Sequence, residues 1–71
     1  MDKQQVTALK AGDKVKFVEY YHGVPAGTVA RIPDDFKPPS DAAKVRGVYV
    51  AISGRGDKLW VDDLSCIEWT F

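Results

Sequence analysis

Residues Val45–Val61, which read VRGVYVAISGRGDKLWV, are the stretch that decides the fold. Val48, Val50 and Ile52 alternate with an aromatic and a small residue, and this two-residue period predicts a strand with two unlike faces. The segment Gly54–Asp57 contains two glycines, which can take the positive φ that hairpin turns often require. The prediction is a β-hairpin with strands over Val45–Ser53 and Lys58–Val61.

The two faces of this hairpin carry different side chains. The residues expected to face the core are Val48, Val50, Ile52, Leu59 and Val61. Strand alternation then places Tyr49 and Trp60 on the opposite face, on adjacent antiparallel strands, where such pairs can interact.

The 71 residues predict one domain, spanning 1–71. A domain this small buries roughly 60% of the surface that its unfolded chain exposes, so its stability margin is thin. One cysteine and one histidine exclude an intrachain disulfide and the zinc sites built from several Cys and His ligands. We therefore predict no metal and no cofactor, and a core of aliphatic and aromatic side chains that self-association is able to supplement.

The charges balance, with ten basic and ten acidic residues, which argues against a protein built mainly to hold duplex nucleic acid. No apolar run approaches the ~20 residues of a membrane span, so no membrane partner is expected. The segment Met1–Gln5 shows no apolar signal-peptide region. A single unpaired thiol without such a signal predicts a cytoplasmic location.

The first half of the chain predicts two strands after an ambiguous start. Residues Met1–Lys10 are either a short helix or a flexible, extended lead-in. Lys14–Tyr21 reads as the first strand, with a bulge or strong bend near Val18–Glu19 because the apolar parity changes there. Thr28–Ile32 reads as the second strand, with Val29 facing inward.

The second half contains one long loop, the hairpin and a final strand. Pro33–Lys44 holds three prolines and is about as long as a structureless loop becomes. Asp62–Ser65 predicts a single helical turn capped by Asp62 or Asp63. Cys66–Phe71 predicts the last strand, and the side chains on one side of it are Ile67, Trp69 and Phe71. The fold class is all-β: a small five-stranded barrel, closed or nearly closed.

The segments that suggest a family are LKAGDKVKF at 9–17, GTVARI at 27–32, VYVAI at 48–52 and LWVDDL at 59–64. Their pattern resembles the SH3-like small-barrel superfamily, including its KOW-like bacterial variants, over about residues 9–69. The resemblance implies a fold whose members bind peptides, RNA, metals or each other, so it leaves the function open. The peptide-binding SH3 signature around an Ala-Leu-Tyr-Asp-Tyr segment is missing.

Several conspicuous residues have simpler structural explanations. Arg55–Asp57 spells a tripeptide that adhesion receptors recognise, but a glycine-rich hairpin turn explains each of its residues. His22 is a loop residue without a catalytic partner in reach, and Cys66 is expected to sit half-buried as a small apolar residue. The pair Asp34–Asp35 lacks the spacing of a calcium loop. No catalytic residue is predicted.

The candidate binding surface is the outward aromatic pair with its basic surroundings. We assign to it Tyr49, Trp60, Arg46, Arg55, Lys58 and, from the long loop, Phe36. Partner interfaces favour Tyr, Trp and Arg, and stacking on single-stranded bases uses the same residue types. The alternative is a pair that only stiffens the hairpin or is covered by residues 33–44.

Three functions follow as hypotheses. The first is a non-enzymatic protein-binding module, acting as a subunit, an adaptor or an inhibitor. The second is a single-stranded nucleic-acid-binding barrel whose surface combines the aromatic pair with Lys14, Lys16, Arg31, Arg46, Arg55 and Lys58.

The third is an enzyme, because the size and strand order resemble the plasmid-borne type II dihydrofolate reductases, which build one pore from four chains. Their active strand carries Val-Gln-Ile-Tyr, whereas Lys58–Val61 reads KLWV here. This departure removes the residues that the resemblance would place in the pore.

Overall fold

The computed structural model describes residues 1–70 and shows five antiparallel strands in a curled half-barrel. The helix α1 spans Lys3–Ala8, and the strands are β1 Lys14–Phe17, β2 Val29–Arg31, β3 Val48–Ile52, β4 Leu59–Val61 and β5 Ile67–Thr70. Two 3-10 turns, Ala42–Lys44 and Leu64–Cys66, complete the structure. The predicted all-β class, the five strands and the helical turn before the last strand are confirmed.

The sheet has the strand order β4-β3-β2-β1-β5, so the last strand returns to pair with the first. In the β1–β5 register, Val15 lies opposite Trp69 and Phe17 opposite Ile67. The inner side chains of both strands therefore meet in the core, as the alternation of the last strand predicted. Phe71, which was assigned to the same side, lies outside the described residues.

The predicted hairpin forms, but its strands are shorter: β3 is Val48–Ile52 rather than Val45–Ser53, and β4 begins at Leu59 rather than Lys58. Val48 lies opposite Val61, and Val50 lies opposite Leu59. Val48, Val50 and Val61 are fully buried, while Ile52 and Leu59 pack against the core from its margin. The predicted core face of the hairpin is therefore confirmed.

The first strand is shorter than predicted, because it ends at Phe17 and the chain bends at Val18–Glu19. The bend itself was predicted from the change in parity. It turns Tyr21 inward to 8% exposure and leaves Tyr20 outside at 71%. The extension of the strand to Tyr21 was wrong, since residues beyond the bend form a separate tight turn closed by the bridge between Tyr21 and Val24.

The inward orientation of Val29 was also wrong. Val29 is 50% exposed, whereas Ala30 and Ile32 are buried. The register explains this result, because Ala30 lies opposite the buried Val15 and cross-strand partners share a face. The orientation of Val29 therefore follows from the strand pairing and not from its own apolar side chain.

The ambiguous start of the chain is a helix with a capping box. The Asp2 carboxylate accepts a hydrogen bond from the Gln5 backbone, and the Gln5 side chain accepts one from the Asp2 backbone. Val6 and Leu9 are fully buried, so the helix closes one end of the core. A second cap precedes the 3-10 turn before β5, where the Asp63 carboxylate accepts a hydrogen bond from the Ser65 backbone N–H.

One side chain, that of Tyr21, contacts the backbone of the edge strand β4. The Tyr21 hydroxyl donates to the Asp62 carboxylate at 2.8 Å, lies 3.3 Å from the Trp60 carbonyl oxygen, and accepts from the Asp62 backbone N–H at 3.2 Å. Trp60 lies in β4, which is an outer strand of the sheet, and Asp62 follows that strand directly. Tyr21 therefore satisfies edge groups that would otherwise be free to pair with another chain.

Candidate functional site

Tyr49 and Trp60 form an exposed ring pair on the outer face of the hairpin. They are direct cross-strand partners, their ring centroids are 4.8 Å apart, and the rings are tilted by 58°. Tyr49 is 51% exposed and Trp60 is 39% exposed. The two rings therefore contact each other while both remain partly open to solvent.

Gly47 explains how Trp60 packs so closely on the chain before β3. A Cβ at Gly47 would lie 2.4 Å from the Val61 carbonyl oxygen and 2.8 Å from Trp60 Cζ2. The indole therefore rests on the backbone of residue 47, where only a hydrogen fits. Trp60 thus lies between the backbone at Gly47 and the Tyr49 ring, and it is still 39% exposed.

The long loop runs beside the ring pair and forms the opposite wall of a groove, so it does not cover the pair. The groove has a volume of about 380 Å³. Its apolar lining includes Pro33, Phe36, Pro39, Tyr49 and Trp60. Hereafter this feature is called the aromatic groove. Concave sites with aromatic walls are the usual places where proteins bind ligands or partner side chains.

An ion pair ties the loop to the hairpin. Lys58 Nζ contacts the Asp35 carboxylate, and this hydrogen bond lowers the pKa of Asp35 below its ordinary value. Both side chains are largely exposed, so the pair contributes little to the free energy of unfolding. The pair shows that residue 35 of the loop lies next to Lys58, the residue before β4.

The rim of the aromatic groove is positively charged. Lys37, Lys44 and Arg46 line it, and Asp35, the single acidic side chain among the lining residues, is already bound to Lys58. The groove therefore combines apolar walls with a cationic rim. Such a surface is complementary to an apolar segment that carries acidic residues.

The structure brings together four of the six predicted site residues, namely Phe36, Arg46, Tyr49 and Trp60. Lys58 does not line the groove and is paired with Asp35. Arg55 lies elsewhere: its guanidinium reaches the Gly23 carbonyl at 3.5 Å, and it lines a different groove with Lys14 and Arg31. The simple structural explanation of the Arg55–Asp57 turn fits this placement.

Sequence reasoning missed Gly47 and the basic residues of the loop. Lys37 and Lys44 flank the proline-rich segment, and this combination of prolines with lysines was the available signal. The proximity of this loop to β3 was not visible in the sequence, because it depends on where a twelve-residue segment folds back.

Cys66 is buried, at 4% exposure, rather than half-buried as predicted. Burial raises the pKa of the thiol, and the nearby carboxylates of Asp63 and Glu19 raise it further. The Glu19 oxygen lies 3.8 Å from the sulfur. A protonated, enclosed thiol is a poor nucleophile.

We expect Cys66 to react with a disulfide reagent about a hundredfold more slowly in the native protein than in denaturant, because reaction requires local opening. Absorbance of the released reagent thiolate measures the rate of this reaction. A Ser53→Cys variant in a Cys66→Ala background supplies an exposed thiol as control, and equal rates for the two thiols would contradict the expectation.

Folding raises the pKa of the Cys66 thiol, so this group also makes stability depend on pH. Its contribution to the free energy of unfolding is present below the ordinary pKa of about 8.5 and decreases as the pH rises above it.

The remaining candidates show no chemical constellation within residues 1–70. No group of three or more side chains of the types that ligate metals is found there. His22 packs edge-on against the Tyr21 ring, with centroids 4.3 Å apart. None of the helices in this part of the chain has both the length and the apolar character needed to cross a bilayer.

No protein-family model, no curated protein and no solved structure matches this chain.

Proposed function

We propose that this chain is a protein-binding module, built on an SH3-like small barrel, that holds an extended segment of a partner in the aromatic groove. The observation that carries the proposal is the Tyr49–Trp60 pair, because it stays half-exposed beside a loop that is positioned to form a second wall. An aromatic pair that only stiffened the hairpin would need neither the second wall nor the close packing of Trp60 on Gly47.

The barrel supports the superfamily part of the proposal through its strand order. The last strand pairs with the first, a 3-10 turn precedes it, and the longest loop stands between β2 and β3. The sequence resemblance to SH3-like barrels rested on the segments 9–17, 27–32, 48–52 and 59–64, and these contain β1, β2, β3 and β4. The fold alone does not select a ligand, so the support for binding comes from the aromatic groove.

The partner segment has two expected chemical features. Phe36, Tyr49 and Trp60 line the groove and supply aromatic surface for an apolar or aromatic anchor, and such anchors carry most of the energy of an interface. Lys37, Lys44 and Arg46 stand around them, so acidic residues flanking the anchor would gain favourable long-range attraction. The volume of the groove suits one or two side chains rather than a whole domain surface.

Trp60→Ala is expected to weaken partner binding by more than about tenfold, because it removes one wall of the groove. The partner is first captured from the native host with immobilised protein and is then purified for calorimetric titration. Tyr20→Ala is the matched control, since Tyr20 is 71% exposed and does not line the groove. A partner that binds both variants equally well would contradict the proposal.

Light scattering on wild type and Trp60→Ala tests whether a second copy of the chain occupies the groove, because self-association through the groove would be lost in the variant. The reductase hypothesis stays a prediction. An assay for NADPH-dependent dihydrofolate reduction decides it, with the tetramer mass measured in the same samples.

A further inference from the structure

A second surface, on the outer face of β1, β2 and β3, carries an unusual arrangement of cations. Lys14 lies directly opposite Arg31, and Arg31 lies opposite Ala51. Like charges placed directly across a sheet destabilise it, so the fold gains nothing from this pair. The arrangement therefore requires another explanation.

These cations line one groove together with a third. Arg55, from the turn between β3 and β4, joins Lys14 and Arg31 around a groove of about 410 Å³. No acidic side chain lines it. Within residues 1–70, the ion pair found is Lys58–Asp35, which lies elsewhere, so Lys14, Arg31 and Arg55 form no ion pair with a described carboxylate. This feature is called the cationic groove.

The cationic groove adjoins one side of the aromatic pair. Tyr49 and Ala51 share the outer face of β3, and Arg31 is the cross-strand partner of Ala51. Tyr49 is therefore a diagonal neighbour of Arg31, at a distance that long side chains can span. Cations and an exposed aromatic ring thus follow one another on a single continuous face.

Lys16 marks the limit of this surface. It lies opposite Glu68 of β5 on one side and opposite Val29 on the other. The acidic neighbour offsets its charge, so the uncompensated positive charge is concentrated at Lys14, Arg31 and Arg55.

We propose that the cationic groove binds the phosphodiester backbone of single-stranded nucleic acid, with one unpaired base stacked on Tyr49. Guanidinium groups bind phosphate oxygens through paired N–H donors, and Arg55 keeps donors free beyond its contact with Gly23. An exposed ring beside phosphate contacts can accept a base only when that base is unpaired. The balanced net charge of the chain also disfavours a duplex.

The test is a titration of fluorescently labelled oligothymidylate, followed by anisotropy at several salt concentrations. Three phosphate contacts predict a slope of log K against log salt of about −2, since each contact contributes about −0.7 in single strands. Lys14→Gln/Arg31→Gln should reduce the slope to about −0.7 and weaken binding about tenfold or more at low salt. Circular dichroism checks that the variant is folded, which is expected because both side chains are exposed.

Matched variants and ligands separate this site from general attraction between charges. Lys3→Gln/Lys10→Gln makes the same change in net charge away from the groove and should leave binding within about twofold of wild type. Tyr49→Ala should weaken binding of oligothymidylate and leave binding of inorganic polyphosphate unchanged. Phe36→Ala should weaken binding of the protein partner in the aromatic groove and leave binding of the oligonucleotide unchanged, so the two proposals can fail separately.

Two results with the variants would overturn the inference: an oligothymidylate affinity of Lys14→Gln/Arg31→Gln equal to that of wild type, or an equal loss of affinity in Lys3→Gln/Lys10→Gln. Two results with other ligands would overturn it as well: tighter binding of a duplex of the same length, or binding of polyglutamate as tight as that of oligothymidylate. Binding to phosphatidylserine vesicles in the absence of oligonucleotide binding would also overturn it, because the groove would then recognise a membrane surface.

Discussion

Gly47→Ala is expected to lower the free energy of unfolding by about 3 kcal/mol and to abolish binding in the aromatic groove. The added Cβ would lie 2.4 Å from the Val61 carbonyl oxygen and 3.0 Å from the Asp62 Cα. Both atoms belong to the backbone, so a side-chain rotation cannot relieve the clash. Either β4 moves away from the chain before β3, or the hairpin loses its register at this end.

The same substitution disturbs the binding wall directly. The Cβ would lie 2.8 Å from Trp60 Cζ2, so the indole must leave its position over the backbone. A domain of 71 residues has a total stability of about 4–10 kcal/mol, and a loss of this size is a large fraction of it. Urea unfolding followed by circular dichroism measures the stability, and calorimetry with the partner measures the binding.

Gly56→Ala is the matched control for this substitution. No atom lies within 4 Å of a Cβ at Gly56, and Gly56 is not among the glycines with positive φ. A compatible Gly→Ala change leaves stability unchanged or raises it by up to about 1 kcal/mol, because it restricts the unfolded chain. If the two alanine variants proved equally stable, the packing of Trp60 on Gly47 would be wrong.

Tyr21→Phe is expected to lower the free energy of unfolding by about 2 kcal/mol. The change removes a hydroxyl that contacts the Asp62 carboxylate, the Asp62 N–H and the Trp60 carbonyl, and it keeps the ring in the core. The edge of β4 then exposes backbone groups, so we also expect a greater tendency to associate at high protein concentration. Chemical unfolding measures the first effect, and light scattering measures the second.

Tyr20→Phe is the control, because the Tyr20 side chain is 71% exposed and the removed hydroxyl can be replaced by water. Its stability should stay within about 0.5 kcal/mol of wild type. A loss as large as that of Tyr21→Phe would mean that the edge contacts of Tyr21 are not responsible.

The pH dependence gives a second measure of the role of Tyr21. Burial raises the pKa of its phenol, and the hydrogen bond to Asp62 and the charge of that carboxylate act in the same direction, partly offset by the Asp62 backbone N–H. Because the folded pKa lies above the unfolded one, this contribution to stability is complete below the ordinary value of about 10 and is lost at higher pH. Tyr21→Phe should therefore remove the part of the alkaline destabilisation that begins above about pH 10, and leave the earlier part due to Cys66.

The face on which each hairpin side chain lies could be predicted, because it depends on the local alternation of side chains along a strand. Each residue of β3 faces opposite to its neighbours, so the burial of Val48 and Val50 implied the exposure of Tyr49. Val29 shows where such reasoning fails. Its side chain was judged by its own hydrophobicity, whereas its orientation depended on the pairing of Ala30 with Val15, which lies fifteen positions earlier in the chain.

The candidate site was only partly predictable for the same reason. Tyr49, Trp60, Phe36 and Arg46 were identified by residue type, and the structure places all four at one groove. Arg55 and Lys58 were grouped with them because they are close in sequence, but the turn directs Arg55 towards Gly23 and the loop engages Lys58 through Asp35.

The sequence by itself determined the strand period, the hairpin, the bend after Phe17 and the exposure of one aromatic face, because these depend on contacts between neighbours along the chain. Only the tertiary structure decided that the proline-rich loop stands beside Trp60, that Gly47 supports the indole, and that Lys14 and Arg31 face each other. Those features depend on segments far apart in sequence, whose relative positions are set when the sheet curls and the long loop folds back against it.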